Sequence, residues 1–237
     1  MARAVEAAQD SQLAVIGVGT NSQVESEGHD RANLDLPGRQ NDLVRAVAAT
    51  GTPTVVIVNA GSTVVLPWAN EVAAILQGYF GGQEFGHAIA DVLTGAAEPG
   101  GRLPTTWPAA LCDVPVTEVQ PVNGRLVYRE GLHIGYRAWL RDSVEPAFPF
   151  GHGLGYTTWS WNRARRHDDT LQVALTNTGA RAGKQVVQVY VTATIPVPPR
   201  RLAHWTGQWV VEPGTYILHA GASVAGLPLS VALEIAG

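Results

Sequence analysis

Apolar positions change their rhythm once along the chain. Before about residue 155 they fall into uninterrupted runs separated by helical stretches, and after Tyr156 they alternate. Residues 12–19 (QLAVIGVG) have the unbroken apolar character of a strand buried on both faces. A helix over residues 36–51 follows. Pro37 suits its first turn, Leu43, Val44 and Val47 form one stripe, and Gly51 can take a left-handed closing position. Residues 54–59 (TVVIVN) predict a second buried strand, residues 73–80 a third, and a helix-like opening over residues 2–8 precedes them all. Residues 83–93 predict an amphipathic helix through Phe85, Ile89, Val92 and Leu93, stopped by Gly95. Buried strands alternating with helices imply α/β architecture, a parallel sheet with helices on its faces.

The later pattern has period two. Leu171, Val173 and Leu175 alternate with polar partners and end in Asn177-Thr178-Gly179, and Val187, Val189 and Val191 share one face of the next strand. Pro213-Gly214 turns residues 209–212 into residues 215–220, and Leu229, Val231, Leu233 and Ile235 close the chain. This is the signature of an antiparallel, all-β sandwich. Between the two textures, residues 96–155 are rich in Pro, Gly and aromatics, among them Trp107, Tyr128, Tyr136, Trp139, Phe148 and Phe150. Such a stretch reads as ordered connection. The expected organisation is therefore an α/β domain over 1–125, a connecting segment over 126–155 and an all-β domain over 156–237. Both domains look short: about three parallel strands stand where sheets hold about five or six, and the tail falls below the ~100 residues of a seven-strand sandwich.

Composition narrows the function classes. Of the 237 residues, 46% are apolar and 15% charged, which places the chain among globular proteins. No apolar run approaches the ~18 residues of a membrane-spanning helix, and no basic-then-apolar layout opens the chain, so no membrane partner is expected. A net charge of −4 with no basic run speaks against a nucleic-acid surface. Cys112 is the only cysteine, so no disulfide forms within the chain. The compartment stays open.

Generic motifs mostly fail. Gly17-Val18-Gly19 follows a strand, but Ser22 stands where a dinucleotide loop needs its third glycine, and no helix starts at once. Gly221-Ala222-Ser223-Val224-Ala225 misses the nucleophile-elbow pattern at its last position. Seven histidines are scattered without metal-ligand spacing. One segment differs: Glu25-Ser26-Glu27-Gly28-His29-Asp30-Arg31, leading through Leu34-Asp35-Leu36-Pro37 to Gln40. It follows the first strand, and the carboxyl ends of parallel strands are where open α/β sheets bind ligands. Three carboxylates and an arginine in one loop can tune a carboxyl group, because a like charge disfavours ionisation and an arginine favours it. A solvated acidic loop fits the same residues.

The run ESEGHDRANLDLPGRQNDLV, then VVIVNAGSTVVLPWANEVAAILQGYFGGQEFGHAIADVLTGAAEPGGRLPTTWP, then YREGLHIGYRAW and FPFGHGLGYTTW, resembles the C-terminal half of glycoside hydrolase family 3. The resemblance extends in order over most of the chain. The family includes β-glucosidases and β-xylosidases. It implies a parallel α/β sandwich domain followed by a shortened fibronectin-III-like domain, and retaining hydrolysis of β-glycosides or oligosaccharides with no metal or organic cofactor. A (β/α)8 barrel, in cis or in trans, would carry the nucleophilic Asp, and the α/β domain would lend the acid/base Glu. No barrel motif occurs here. By the same resemblance Glu27 is the acid/base, with Glu25 its competitor two positions away. Asp30 and Arg31 are expected to hold the loop. Asn59, Gly61 and Trp68 are expected either to pack against a barrel or to line a substrate rim. After the strand at 186–192 the chain passes through Pro196–Pro199 to Arg201-Leu202-Ala203-His204-Trp205, as though intervening strands were deleted. A domain without its barrel would expose an apolar patch rimmed by Pro67, Trp68 and residues 78–80, and self-association is expected. A non-catalytic accessory or sugar-binding protein of the same fold is the other reading.

Overall fold

The computed structural model describes residues 1–28, 30–193 and 212–236. They form two compact units, one of Met1–Ala97 with Thr105–Pro149, the other of Glu98–Pro104 with Phe150–Gly237.

The first unit runs α1 (Ala2–Gln9), β1 (Ala14–Gly19), α2 (Gln40–Ala48), β2 (Thr54–Asn59), β3 (Ala74–Gln77), α3 (Phe85–Thr94) and α4 (Tyr136–Asp142). Its strands form an all-parallel sheet in the order β1-β2-β3, with Ala14 opposite Thr54 and Val55 opposite Ala74. α2 packs on β1 and β2. Ile16, Val18, Val44, Val47, Val56 and Val58 make the core there, all buried. β-branched residues dominate because their stiff side chains fit a pleated surface. Only one face of β1 is closed in this way, which corrects the expectation of burial on both faces. Val15, on the other face, is 49% exposed, and α3 has no buried residue of its own. Parallel sheets are normally covered on both sides.

Local backbone geometry sets the element ends. Gly38, at φ 68°, interrupts the chain between Pro37 and Gln40, so α2 starts four residues later than the pattern suggested. Tyr79, at φ 52°, turns the chain out of β3 three residues earlier. Gly95 closes α3 in the left-handed conformation, as its position after the apolar stripe implied. Residues 126–149 belong with the first unit: Trp107 and Phe148 exchange backbone hydrogen bonds of 2.8 and 3.2 Å, and α4 buries Ala138 and Trp139.

The second unit is antiparallel. β4 (Trp159–His167) pairs with β5 (Thr170–Asn177), and β6 (Gln188–Ala193), β7 (Gly214–Gly221) and β8 (Leu229–Ile235) form a three-stranded sheet in that order. β4 also packs against β8. The register aligns Val191, Leu218 and Val231 on one face. β6 bares its part of that face, with Val189 49% and Val191 60% exposed. The apparent deletion after Pro199 lies outside the described residues.

Candidate active site

The loop from β1 to α2 begins where Gly19 lies beside Asn59 at the end of β2. A Cβ on Gly19 would stand 2.2 Å from the Asn59 carbonyl oxygen, so only glycine fits. Gln40, at the head of α2, holds this strand end: its Oε1 accepts from the Gly19 N–H at 2.7 Å and its Nε2 donates to the Gly19 carbonyl at 2.8 Å. The loop then folds on itself. Asn21 Oδ1 accepts from the Gln23 N–H, its carbonyl accepts from the Val24 and Glu25 N–H groups, and Ser26 Oγ accepts from the Gly28 N–H. These are the local side-chain-to-backbone turns that Asn and Ser favour.

Its two neighbouring glutamates have opposite environments. Glu25 is largely buried, its side chain 14% exposed. Oε1 accepts from Thr20 Oγ1 at 2.8 Å, from Ser62 Oγ at 3.3 Å and from the Ser62 N–H at 3.4 Å. Arg31 Nη1 lies 3.8 Å from the same oxygen. It also donates to Ser62 Oγ at 2.9 Å and to the Thr63 carbonyl at 3.2 Å. Arg31 Nε and Nη2 are buried with no hydrogen-bond partner. Glu27 is exposed, and no hydrogen bond or ion pair engages its carboxylate among the described residues. Asp30 accepts from Gln120 Nε2.

The loops after β2 and β3 complete this edge of the sheet. Gly61 leaves room for Glu25, since a Cβ there would fall 2.5 Å from Glu25 Oε2 and 2.7 Å from the Phe80 ring. Gln77 Nε2 donates to the Ala60 carbonyl at 2.9 Å. Phe80 is 54% exposed. The hydroxyl of Tyr79 is buried without a partner, and burial raises its pKa above the ordinary 10.0. A cleft of about 470 Å³ opens at the carboxyl ends of β1 and β2 between Gly17, Gly19, Gln40, Asn59, Phe85 and Ile89.

Sequence reasoning therefore named Glu25, Glu27, Asp30 and Arg31 in a single loop, and the structure splits them into a buried pair and two exposed carboxylates. Trp68 is a correction. It is fully buried, and its Nε1 donates to Asn41 Oδ1 at 2.8 Å, so it packs inside and rims no surface. Ser62 and Thr20 were missed. Their signal, small hydroxyl residues within three positions of a strand end, is common in loops. Among the described residues no group of three or more His, Cys, Asp or Glu could hold a metal ion, and no helix is long and apolar enough to cross a membrane.

The fold has counterparts of known structure. The β-glucosidase of Kluyveromyces marxianus in complex with glucose superposes with a TM-score of 0.90 at 32% identity, covering 100% of this chain and 33% of that one. The family 3 β-glucosidase of Bifidobacterium adolescentis gives 0.90 at 29% identity, covering 99% and 40%. A model of the glycosyl hydrolase family 3 C-terminal domain matches residues 1–156, and the chain belongs to that family. A β-glucosidase of Rhizobium radiobacter is 35% identical across 99% of this chain and 34% of its own length. The chain thus spans about a quarter to two fifths of the length of the relatives it matches. That alignment runs over 278 positions against 237 residues here, so the Rhizobium enzyme carries residues that this chain lacks.

Proposed function

We propose that the chain is the acid/base half of a retaining β-glycosidase, acting on terminal non-reducing β-D-glucosyl residues. Glu27 is the acid/base, a (β/α)8 barrel supplies the nucleophilic Asp, and the antiparallel unit is the family's fibronectin-III-like domain. One contrast carries the assignment within the loop. Glu25 Oε1 is spent on Thr20, Ser62 and Arg31, whereas Glu27 is exposed and its carboxylate engages no partner among the described residues.

Protonated Glu27 gives its proton to the glycosidic oxygen as the Asp carboxylate attacks the anomeric carbon and the C–O bond to the leaving group breaks. The resulting Glu27 carboxylate then takes a proton from water, whose oxygen displaces Asp from the anomeric carbon. This demands that the two carboxyl groups stand about 5–5.5 Å apart. Glu27 must therefore project from its own domain, as an exposed loop residue does.

Hydrolysis of p-nitrophenyl β-glucoside, measured with the chain alone and with a family 3 barrel polypeptide added, tests the reading. Turnover is expected only in the mixture. Turnover by the chain alone would require a second catalytic carboxylate within it and overturn the proposal. Inactivity of a mixture that forms a stable complex would favour the accessory reading.

A further inference from the structure

Glu25 and Arg31 bracket Glu27 in sequence, and both reach the same residue. Ser62, just past β2, gives its hydroxyl proton to Glu25 Oε1 and receives Arg31 Nη1 on the same oxygen. The backbone N–H of Ser62 points at Glu25 as well, and Thr63 takes a further bond from Arg31. The loop is thus tied down two residues before Glu27 and four residues after it, to one point on the neighbouring strand's loop. A short segment fixed at both ends has few conformations left to its apex.

Packing alone does not call for this arrangement. A buried carboxylate costs free energy unless it is fully partnered, and an apolar side chain would fill the same volume at lower risk. The site is nonetheless cut to receive the charge. Gly61 stands where any Cβ would press on Glu25 Oε2, and Thr20, at the end of β1, aims its hydroxyl at Oε1.

We propose that Glu25 is a positioning residue: with Ser62 and Arg31 it forms a latch that holds the Glu27 loop on the carboxyl edge of the sheet. This rests on the reading of Glu27 as acid/base only for its catalytic consequence. The latch itself is a claim about the chain on its own.

Amide hydrogen exchange on the 237-residue chain reads the latch directly. Glu25→Ala is expected to speed exchange over residues 20–28 about tenfold or more, because two hydroxyl bonds and an ion pair are lost together. Amides of α2 are expected to keep their wild-type rates. Glu25→Gln keeps an acceptor for Thr20 and Ser62 and is expected to recover most of the protection. Should Glu25→Ala unfold the first unit, Ser62→Ala, which removes the shared hydroxyl alone, gives the same readout. Wild-type exchange over residues 20–28 in folded Glu25→Ala, or in Ser62→Ala, overturns the latch.

Catalysis supplies a second readout in the barrel-supplemented assay. Glu25→Ala is expected to slow substrates with poor leaving groups more than activated ones, with kcat falling and KM little changed, and Glu25→Gln to restore the balance. Equal slowing of both substrates would reduce Glu25 to a general stabiliser and overturn its positioning role. Absence of any wild-type turnover would sink the functional reading while leaving the exchange result to decide the latch.

Discussion

At the residue scale, the two glutamates were separable only in three dimensions. The motif Glu-Ser-Glu-Gly placed an acid/base candidate within two positions, but nothing in it says which carboxylate is occupied. That is decided by Ser62, thirty-seven residues away along the chain. For Glu27→Ala in a barrel-completed protein, glycosides with poor leaving groups should slow far more than activated ones, since a good leaving group needs little protonation. Added azide should then restore turnover by replacing the base-activated water, with a glycosyl azide as product. If Glu25→Ala gave azide rescue and Glu27→Ala did not, the roles would be exchanged. Trp68 illustrates the opposite limit. A tryptophan after a strand is compatible with a sugar platform or with packing, and only its burial and its bond to Asn41 choose between them. Trp68→Phe should cost about 1–3 kcal/mol in urea unfolding, because it leaves the Asn41 acceptor unpaired beside a smaller ring. A loss within error would mean that water replaces the indole.

At the element scale, most strands and helices were legible from periodicity, whereas their ends were not, and α4 and β4 were missed altogether. The end of β3 rests on Tyr79 in a left-handed conformation that glycine or asparagine usually takes. An aromatic residue there gives no sequence sign of it. Gly19 was visible as part of a failed dinucleotide motif, and its real task is to let the end of β1 lie against the Asn59 carbonyl of the neighbouring strand. Gly19→Ala should destabilise the first unit by at least about 1–3 kcal/mol, since the obstacle is a backbone oxygen that cannot rotate away. Chemical denaturation of the two proteins checks this. In the turn at His152 the element-scale consequence is a pH dependence. Burial first, and the Arg102 guanidinium second, hold the imidazole below its ordinary 6.5. Between the folded-state value and 6.5 the unfolded chain binds more protons than the folded one, so stability of the second unit should fall as pH drops through that window. His152→Gln should flatten this slope, and an unchanged slope would assign the acid sensitivity elsewhere.

On the scale of the whole molecule, both units carry apolar surface that nothing among the described residues covers. Val15 on β1 and the Val189–Val191 stripe on β6 are each about half exposed or more, and β1 has strand pairing on one edge only. Unpaired edges and bare apolar faces favour association. The isolated chain should therefore dimerise or aggregate with rising concentration, and light scattering that showed a monodisperse 25.1 kDa monomer throughout would contradict this. The parallel character of the first unit and the antiparallel character of the second were readable, but strand pairing and the way the chain threads the units were not: residues 215–220 pair with β6 and β8 on their two edges, where the Pro213-Gly214 turn had suggested residues 209–212. Residues 98–104 carry no compositional mark that separates them from their surroundings, yet they join the second unit. There Glu98 accepts the Tyr156 and Lys184 N–H groups at 3.1 and 2.7 Å, and Leu103 exchanges backbone bonds with Gly151 and His152. For a ribosome making this protein, the order of events follows. The segment emerges in the middle of the first unit and must wait, its carboxylate still in water, until residues 150–184 are synthesised. A gene split at Pro149 would therefore yield a leading fragment with this strap dangling and a trailing fragment that cannot close without it.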